Sequence, residues 1–103
     1  MPREADLQRE ILHLWGSNPR VRLWRANAGR ALVATATGGL RSVQMNVTGC
    51  PDLIGWVAPL GRFVGIECKA STGLRPEQIA FRDTLTRMGG LYIVARSVGD
   101  VDL

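Results

Sequence analysis

The sequence predicts an α/β protein whose mixed central sheet is flanked by helices, with its elements in the order αβββαβ. Three patterns predict it: an amphipathic stretch over 3–16, two apolar runs joined by a turn over 52–69, and a strand–helix–strand succession over 63–95. A hairpin pairs its strands antiparallel and a strand–helix–strand unit pairs them parallel, so the sheet contains both kinds of pairing. A chain of 103 residues is long enough for one core, and we treat 1–103 as one domain.

The first helix is predicted from an apolar stripe with the helical spacing i, i+4, i+7 and i+8. The stripe consists of Leu7, Ile11, Leu14 and Trp15. Pro2 suits the first turn. Glu4, three residues before Leu7, extends the stripe at its N-terminal end, whereas Glu10 lies to one side. A buried acid needs a partner, and a metal ion is one; the alternative is a solvated acid that the helix dipole favours.

The second pattern is a hairpin over 52–69 with residues 58–61 (APLG) as its turn. Folding about Leu60 pairs positions whose numbers sum to about 120, because opposed residues lie equally far from the turn. This register predicts that Asp52 lies opposite Cys68.

Two charged residues end the second strand of the hairpin. Side chains alternate between the faces of a strand, so Glu67 and Lys69 emerge on the same side. Directly opposed residues lie roughly 5 Å apart and diagonal neighbours roughly 7–8 Å. Two carboxylates at that separation, those of Asp52 and Glu67, can share one divalent metal ion, and the ammonium group can reach a water bound to it.

Shorter patterns predict the elements before the hairpin. Residues 21–27 alternate as a strand, and 31–37 and 40–47 form two further strands joined by a glycine turn at 38–39. We expect this glycine-rich region to be a mobile flap; a solvated hairpin without a role is the alternative.

A helix over 76–88 follows the hairpin, with Pro76 in its first turn and a glycine pair at its end. Its inward stripe consists of Phe81, Leu85 and Met88. Gln78 continues that stripe towards the end nearest Lys69. Residues 91–95 form a short apolar strand, and the segment from 97 onwards resembles the start of one more helical turn.

The net charge of +4 points to a polyanionic partner. Among the 13 basic residues Lys69 is the sole lysine, and the others are arginine. An ammonium group is a compact charge with a movable pKa, whereas a guanidinium keeps its proton. The lysine therefore marks this segment as chemically distinctive, unless its position is accidental.

Composition also narrows the class of protein. No apolar run approaches the ~20 residues that span a membrane, and the N-terminus lacks a signal-peptide pattern. We expect a cytoplasmic protein without a membrane partner. Cys50 and Cys68 suit neither a zinc site nor a disulfide framework, and we interpret them as small buried thiols.

Two segments together resemble a nuclease signature. Asp52, followed after a hairpin-length gap by 67–69 (ECK), is similar to the PD-(D/E)XK motif. The fuller string of 49–54 (GCPDLI), 66–69 (IECK) and Gln78 resembles the VRR-NUC branch of that superfamily, over nearly the whole chain. The resemblance implies a restriction-endonuclease-like core and a Mg²⁺- or Mn²⁺-dependent endonuclease that hydrolyses DNA phosphodiester bonds.

The resemblance also implies an assembly and a substrate. Stand-alone VRR-NUC proteins, and the junction resolvases whose fold they resemble, suggest a homodimer that acts on branched DNA such as Holliday junctions. Such an interface needs apolar surface, and the candidates for it are Trp15, Trp24 and Trp56. For each of them a place in the core is the alternative.

The proposed chemistry assigns a role to each residue of the motif. Asp52 and Glu67 supply hard oxygen ligands that suit Mg²⁺ or Mn²⁺, and the backbone carbonyl of Cys68 is a third ligand. Glu4 also matches the first-helix glutamate of the resembled family and is a candidate for holding a second ion or a metal-bound water. The cation would polarise the phosphate and acidify the attacking water. Lys69 would orient or deprotonate that water, or offset charge in the transition state.

Other polar residues are expected to contact the nucleic acid. Gln78 would orient the water or bind the neighbouring phosphate; a buried hydrogen-bonding role is its alternative. Five further residues are candidates for phosphate contacts: Gln8, Arg25, Asn27, Arg30 and Arg41. Arg25 and Asn27, spaced with Gly29, also resemble a segment of the VRR-NUC pattern, although an ordinary edge strand is equally compatible with them.

The sequence also bears on other kinds of function. His13 is the only histidine and has no motif around it, so nucleophilic serine or cysteine schemes lack a base. The glycine-rich segment 28–39 lacks both the P-loop and the dinucleotide-binding fingerprint. Two alternatives remain: a non-catalytic nucleic-acid-binding module that keeps the nuclease fold, and a small α/β protein with an accidental acidic motif.

Overall fold

The protein has mixed α/β architecture. In this computed structural model the described residues are 3–27, 30–44 and 46–103. The elements along the chain are α1 (Glu4–Trp15), β1 (Val21–Arg25), β2 (Arg30–Ala34), β3 (Leu40–Gln44), β4 (Leu53–Val57), β5 (Arg62–Cys68), α2 (Pro76–Arg87), β6 (Leu91–Ala95) and a 3₁₀ turn (Val98–Asp100). The predictions on Pro2 and Gly29 fall outside the described residues.

The central sheet has four strands in the order β1-β4-β5-β6. β1 pairs antiparallel with β4, β4 antiparallel with β5, and β5 parallel with β6. The predicted hairpin, its turn at Ala58 to Gly61 and the strand–helix–strand unit are therefore confirmed. With β2 and β3 set aside, the two long helices and four strands follow the predicted order αβββαβ.

The register of the hairpin differs from the prediction by one residue. Leu53 pairs with Ile66, so the numbers of paired residues sum to 119. The four-residue turn explains the difference, because the centre of an even-numbered turn lies between two residues, here Pro59 and Leu60. Asp52 is thus level with Glu67 rather than with Cys68, and the two acids fall on the same face of the sheet.

Helix α1 covers one face of the sheet. Leu7 and Ile11 of α1 pack with the alternating β5 side chains Val64, Ile66 and Cys68 in the buried core. Four-residue steps place Trp15 beside that core, and it is partly buried.

The prediction that Leu14 belongs to the α1 stripe was wrong, since its side chain is exposed. Leu12 packs against the core instead. At about 100° per residue the stripe through Leu7, Ile11 and Trp15 drifts towards Leu12 and away from Leu14.

Helix α2 covers the opposite face. A Cβ built on Gly65 would lie 3.5 Å from Leu85 of α2, and Gly65 alternates with the residues that face α1. Phe81 and Leu85 are half-buried, but Met88, predicted to face inwards, is exposed. Met88 is the residue at which α2 ends, ahead of Gly89 with φ +94°, and so it lies beyond the packed turns. Each helix has 12 residues, and within the described ranges none is long and apolar enough to cross a bilayer.

Strands β2 and β3 form a separate two-stranded antiparallel sheet. Gly38, with φ +86°, lies in the turn between them, as predicted. Both strands are shorter than expected, since they end at Ala34 and Gln44.

Candidate active site

The C-terminal end of β5 presents two charged side chains that are almost inaccessible to solvent. Glu67 is 4% exposed and Lys69 is 7% exposed. The Lys69 Nζ atom lies 3.8 Å from Glu67 Oε1. The parallel partner β6 holds this end of the strand, because the Lys69 amide donates to the carbonyl of Ala95 at 3.0 Å. The two residues that the alternation pattern predicted to emerge together are therefore adjacent.

Asp52 joins them from the start of β4. Its side-chain Oδ2 accepts the amide N–H of Cys68 at 2.8 Å, and its backbone carbonyl accepts the amide of Ala26 at 3.0 Å. The first bond ties the carboxylate to β5 and the second ties its backbone to the segment after β1. Asp52 is thus held on both sides before β4 begins.

The residues that precede Asp52 explain its placement. Gly49 has φ +78°, and a Cβ at this position would overlap the carbonyl oxygen of Glu77 in α2. Glycine is required because it tolerates both the left-handed conformation and the close approach of the helix. Pro51 is buried against Gly65, where a Cβ on that glycine would lie 2.6 Å from Pro51 Cγ. The turn is therefore wedged between α2 and β5.

Gln78 links the start of α2 to the acids. Its Nε2 donates to Glu67 Oε1 at 3.0 Å, and its Oε1 accepts the amide of Arg75 at 2.8 Å. With both ends bonded, the amide has one orientation. Gln78 therefore lies beside the acids, and it is partly buried and hydrogen-bonded, close to what the alternative interpretation expects.

Both acids of the site have raised pKa values. Burial, followed by the neighbouring charge of Asp52, raises the pKa of Glu67 to about 7, although Lys69 acts in the opposite direction. Burial likewise raises the pKa of Asp52, and Glu4 adds to the effect. Glu67 Oε2 is buried and has no hydrogen-bond partner within the described residues.

These observations fit a divalent metal ion. A buried carboxylate oxygen without a partner is costly, and two carboxylates supply the oxygen donors that Mg²⁺ and Mn²⁺ prefer. Among the described residues, however, no three His, Cys, Asp or Glu side chains are grouped so that they could hold a metal ion. The fit therefore rests on Asp52 and Glu67, with the Cys68 carbonyl as the predicted third donor.

Glu4 lies at the edge of this group. Its Oε1 accepts the amide N–H of Ala70 at 3.3 Å, directly after Lys69. The prediction that Glu4 extends the buried stripe was wrong, because its side chain is exposed, as the alternative of a solvated acid requires. It belongs to the first turn of α1, ahead of the packed turn at Leu7, and so water reaches it.

The residues predicted to contact phosphate lie in two places. Gln8 Oε1 accepts from Arg25 Nε at 3.3 Å, so these two residues connect α1 with the end of β1. Asn27 follows, exposed and with φ +51°. Arg30 and Arg41 belong instead to the β2–β3 sheet, and both are exposed. The structure thus brings only the first group near the elements that carry the acids.

The guanidinium of Arg30 is engaged within its own hairpin. Its Nε donates to Ser42 Oγ at 2.7 Å and its Nη2 to the Ser42 carbonyl at 3.2 Å. His13 is exposed on α1. Cys50 and Cys68 are buried free thiols, as predicted. Burial raises the pKa of the Cys68 thiol to about 12, so it stays protonated at neutral pH.

Sequence reasoning missed one residue of the site, Tyr92. Tyr92 lies on β6 and pairs with Gly65 of β5. Its hydroxyl is buried without a partner within the described residues. Burial raises its pKa, and the charges of Glu67 and Asp52 raise it further. The predicted parallel pairing of β5 with β6 was the signal that could have identified it, since paired residues share a face.

No family model matches the chain, and neither the curated proteins nor the solved structures contain a match.

Proposed function

We propose that the protein is a metal-dependent endonuclease of the VRR-NUC type, with a restriction-endonuclease-like fold, that hydrolyses phosphodiester bonds in branched DNA. The observation that carries the proposal is the buried Oε2 of Glu67, which lies beside Asp52 and has no hydrogen-bond partner in the part of the chain that the structure describes. Two carboxylates with raised pKa values are costly to ionise together, and a bound cation offsets that cost. The net charge of +4 adds attraction to a polyanion.

Asp52 and Glu67 would hold Mg²⁺ or Mn²⁺, together with the Cys68 carbonyl. When bound, the ion supplies Lewis-acid polarisation of the scissile phosphate and lowers the pKa of an attacking water. Gln78 occupies Glu67 Oε1 and leaves Oε2 for the ion. The hydrogen bond from Cys68 fixes the orientation of the Asp52 carboxylate in the same way.

Lys69 is the positively charged residue beside the two acids. Its ammonium lies next to Glu67 and is almost inaccessible to solvent. Lys69 directly follows β5, the strand that carries Glu67. A compact ammonium at that position orients an attacking water or stabilises charge on a non-bridging phosphate oxygen. Glu4, beside Ala70, would hold a water or a second ion at the edge of the site. Arg25 and Gln8 would contact the neighbouring phosphate.

The experiment is a cleavage assay. Purified protein is incubated with Mg²⁺ or Mn²⁺ and a panel of labelled four-way junctions, flaps, single strands and plain duplexes. We expect cleavage that needs the metal, stops with EDTA and is faster on branched substrates. Glu67→Gln should abolish it, whereas Asp83→Asn, which removes an exposed acid of α2, is the matched control.

Two outcomes would change the proposal. Tight binding of branched DNA without cleavage in either metal favours the non-catalytic module. Neither binding nor cleavage, together with an unfolding temperature that the metals do not shift, means that the acidic motif is accidental.

A further inference from the structure

An aromatic surface lies on the face of the sheet that carries the acids. It consists of Arg22, Trp24, Trp56 and Phe63, and we call it the aromatic face. Arg22 pairs with Trp56, and Trp56 pairs with Phe63, so their side chains share one side of three adjacent strands. Glu67 lies four residues beyond Phe63 on the same strand, and therefore on the same face at roughly 13 Å.

The aromatic face is open to solvent. Trp24 is 37% exposed, Trp56 is 52% exposed and Phe63 is 38% exposed. Helix α2 covers this side of the sheet only over β5 and β6, where Leu85 packs on Gly65 and Gly90. Among the described residues no helix lies over the neighbouring surface of β1 and β4, which carries Trp24 and Trp56. Phe63, near the start of β5, is exposed beside them.

The two indoles are already arranged as a platform. Their ring centroids are 5.0 Å apart with an interplanar angle of 74°, an edge-to-face contact that holds each ring in place. Beside them is a groove of about 960 Å³, lined among others by Asn18, Arg20 and Pro59. Rigid aromatic rings beside an open groove suit flat, planar ligands.

The residues around the two indoles carry positive charge, which favours a polyanionic partner. Arg20 and Arg22 line the groove beside the indoles, and segments 16–25 and 53–63, which supply most of its lining, contain no acidic residue. A surface that combines exposed aromatic rings with arginines matches a nucleic acid strand, whose bases stack on the rings while its phosphates meet the cations. The bases must be unpaired, because those of a duplex are already stacked on each other.

A second copy of the chain fits this surface less well. In a two-fold interface the same patch meets itself. Both halves of such an interface would bring Arg20 and Arg22 without an acid from either segment, and like charges repel.

We infer that the aromatic face binds unpaired bases of a single-stranded segment and leads that strand towards Asp52 and Glu67. The inference rests on the proposed function for the direction of the strand. It adds that, among branched substrates, one with unpaired bases a short distance from the scissile phosphate, such as a flap, is cut in preference to a fully paired one.

Binding is measured separately from cleavage. A fluorescein-labelled oligothymidylate is titrated with protein in EDTA, and anisotropy and tryptophan fluorescence are followed together. We expect binding of the single strand with quenching of the tryptophans, and weaker binding of a blunt duplex of the same length. Trp56→Ala should weaken binding about tenfold or more, the effect of losing one stacking partner.

The variants are chosen so that folding does not obscure the result. Trp56→Phe keeps an aromatic ring and should retain most of the affinity, whereas Arg22→Glu reverses an exposed charge and should weaken binding strongly. Met88→Ala and Arg87→Ala, both exposed on the end of α2, are the matched controls and should bind as wild type does. Unfolding temperatures identify any variant that fails to fold. Quenching of the tryptophans in the wild-type protein tests the inference without any variant.

Three results would overturn the inference: wild-type affinity in both Trp56→Ala and Arg22→Glu, binding without tryptophan quenching, or a dimer that Trp56→Ala dissociates. Because EDTA prevents metal-dependent hydrolysis, loss of this binding leaves the nuclease proposal standing. Conversely, binding without cleavage in Mg²⁺ or Mn²⁺ contradicts the proposed function but not the binding surface.

Discussion

The carboxylate of Asp52 accepts a 2.8 Å hydrogen bond from the amide N–H of Cys68, sixteen residues further along the chain. This bond places Asp52 beside Glu67 at the end of β5. It also predicts that the aspartate can be neutralised without loss of the fold, since an asparagine side chain still offers a carbonyl oxygen to the same amide.

Asp52→Asn should therefore separate activity from folding. Substitutions around metal ligands commonly cost about 10–100-fold, and loss of a ligand charge should cost about a hundredfold or more in cleavage rate. DNA binding in Ca²⁺ should survive, and the unfolding temperature should stay close to that of the wild type. Cleavage by the variant at near wild-type rate in Mg²⁺ would show that Asp52 is not a ligand.

Lys69→Arg tests whether charge alone is needed. Arginine keeps the positive charge but is larger and does not give up its proton, and the site is almost closed to solvent. We expect most of the cleavage activity to be lost in a kinetic assay. Arg87→Lys, an exposed exchange in the last turn of α2, controls for general effects. Full activity in Lys69→Arg would mean that any cation suffices.

Glu4→Gln and Glu10→Gln compare the two glutamates of α1. Glu4 accepts the amide of Ala70 next to the site, and its charge acts on Asp52, whereas Glu10 is exposed further along the helix. We expect the first substitution to lower the cleavage rate about tenfold, the lower end of effects seen for residues that support a metal site. The second should change it little. Equal, mild effects would return Glu4 to the role of a solvated acid at a helix start.

Stability without metal should depend on pH through Glu67. The pKa of this side chain rises from an ordinary 4.5 to about 7 in the folded protein. Between these values the unfolded chain releases a proton that the folded protein retains, so the free energy of unfolding falls as pH rises. The stabilisation is complete below the lower value and lost above the upper one, and amounts to at most roughly 3 kcal/mol.

Urea unfolding in EDTA measures this effect as the difference between wild type and Glu67→Gln, which cancels the titrating groups that do not interact with Glu67. The wild type should lose stability relative to the variant as pH rises through this window. Mg²⁺ or Mn²⁺ should then raise the unfolding temperature of the wild type more near pH 8 than near pH 5. Parallel pH profiles for the two proteins would contradict the raised pKa.

The resemblance to stand-alone VRR-NUC proteins predicts a homodimer. A two-fold dimer presents two sites on one face, which matches the two-fold arrangement of a four-way junction. Sedimentation at micromolar concentration should give twice the chain mass of 11.2 kDa. If the aromatic face binds bases, Trp56→Ala should leave the dimer intact. A monomer that cuts linear duplex as readily as a junction would contradict this prediction.

Local patterns in the sequence determined most of the fold. Period-two alternation placed Glu67 and Lys69 on one side of β5, and the turn at 58–61 returned the chain so that Asp52 came near them. The strand–helix–strand spacing determined that β6 runs parallel to β5. These features depend on backbone periodicity and turn length, which are properties of neighbouring residues and can be read without knowing what packs where.

Tertiary packing decided what those patterns leave open. The centre of the turn shifted the register by one residue from the predicted one and put Asp52 level with Glu67. The position of α2 over β5 and β6 exposed Trp24 and Trp56, although a core position was the alternative for each, and the pairing of β6 brought Tyr92 to the acids. Burial is a relation between elements distant in the chain, so the exposed tryptophans, the solvated Glu4 and the buried Oε2 of Glu67 follow only from the folded arrangement.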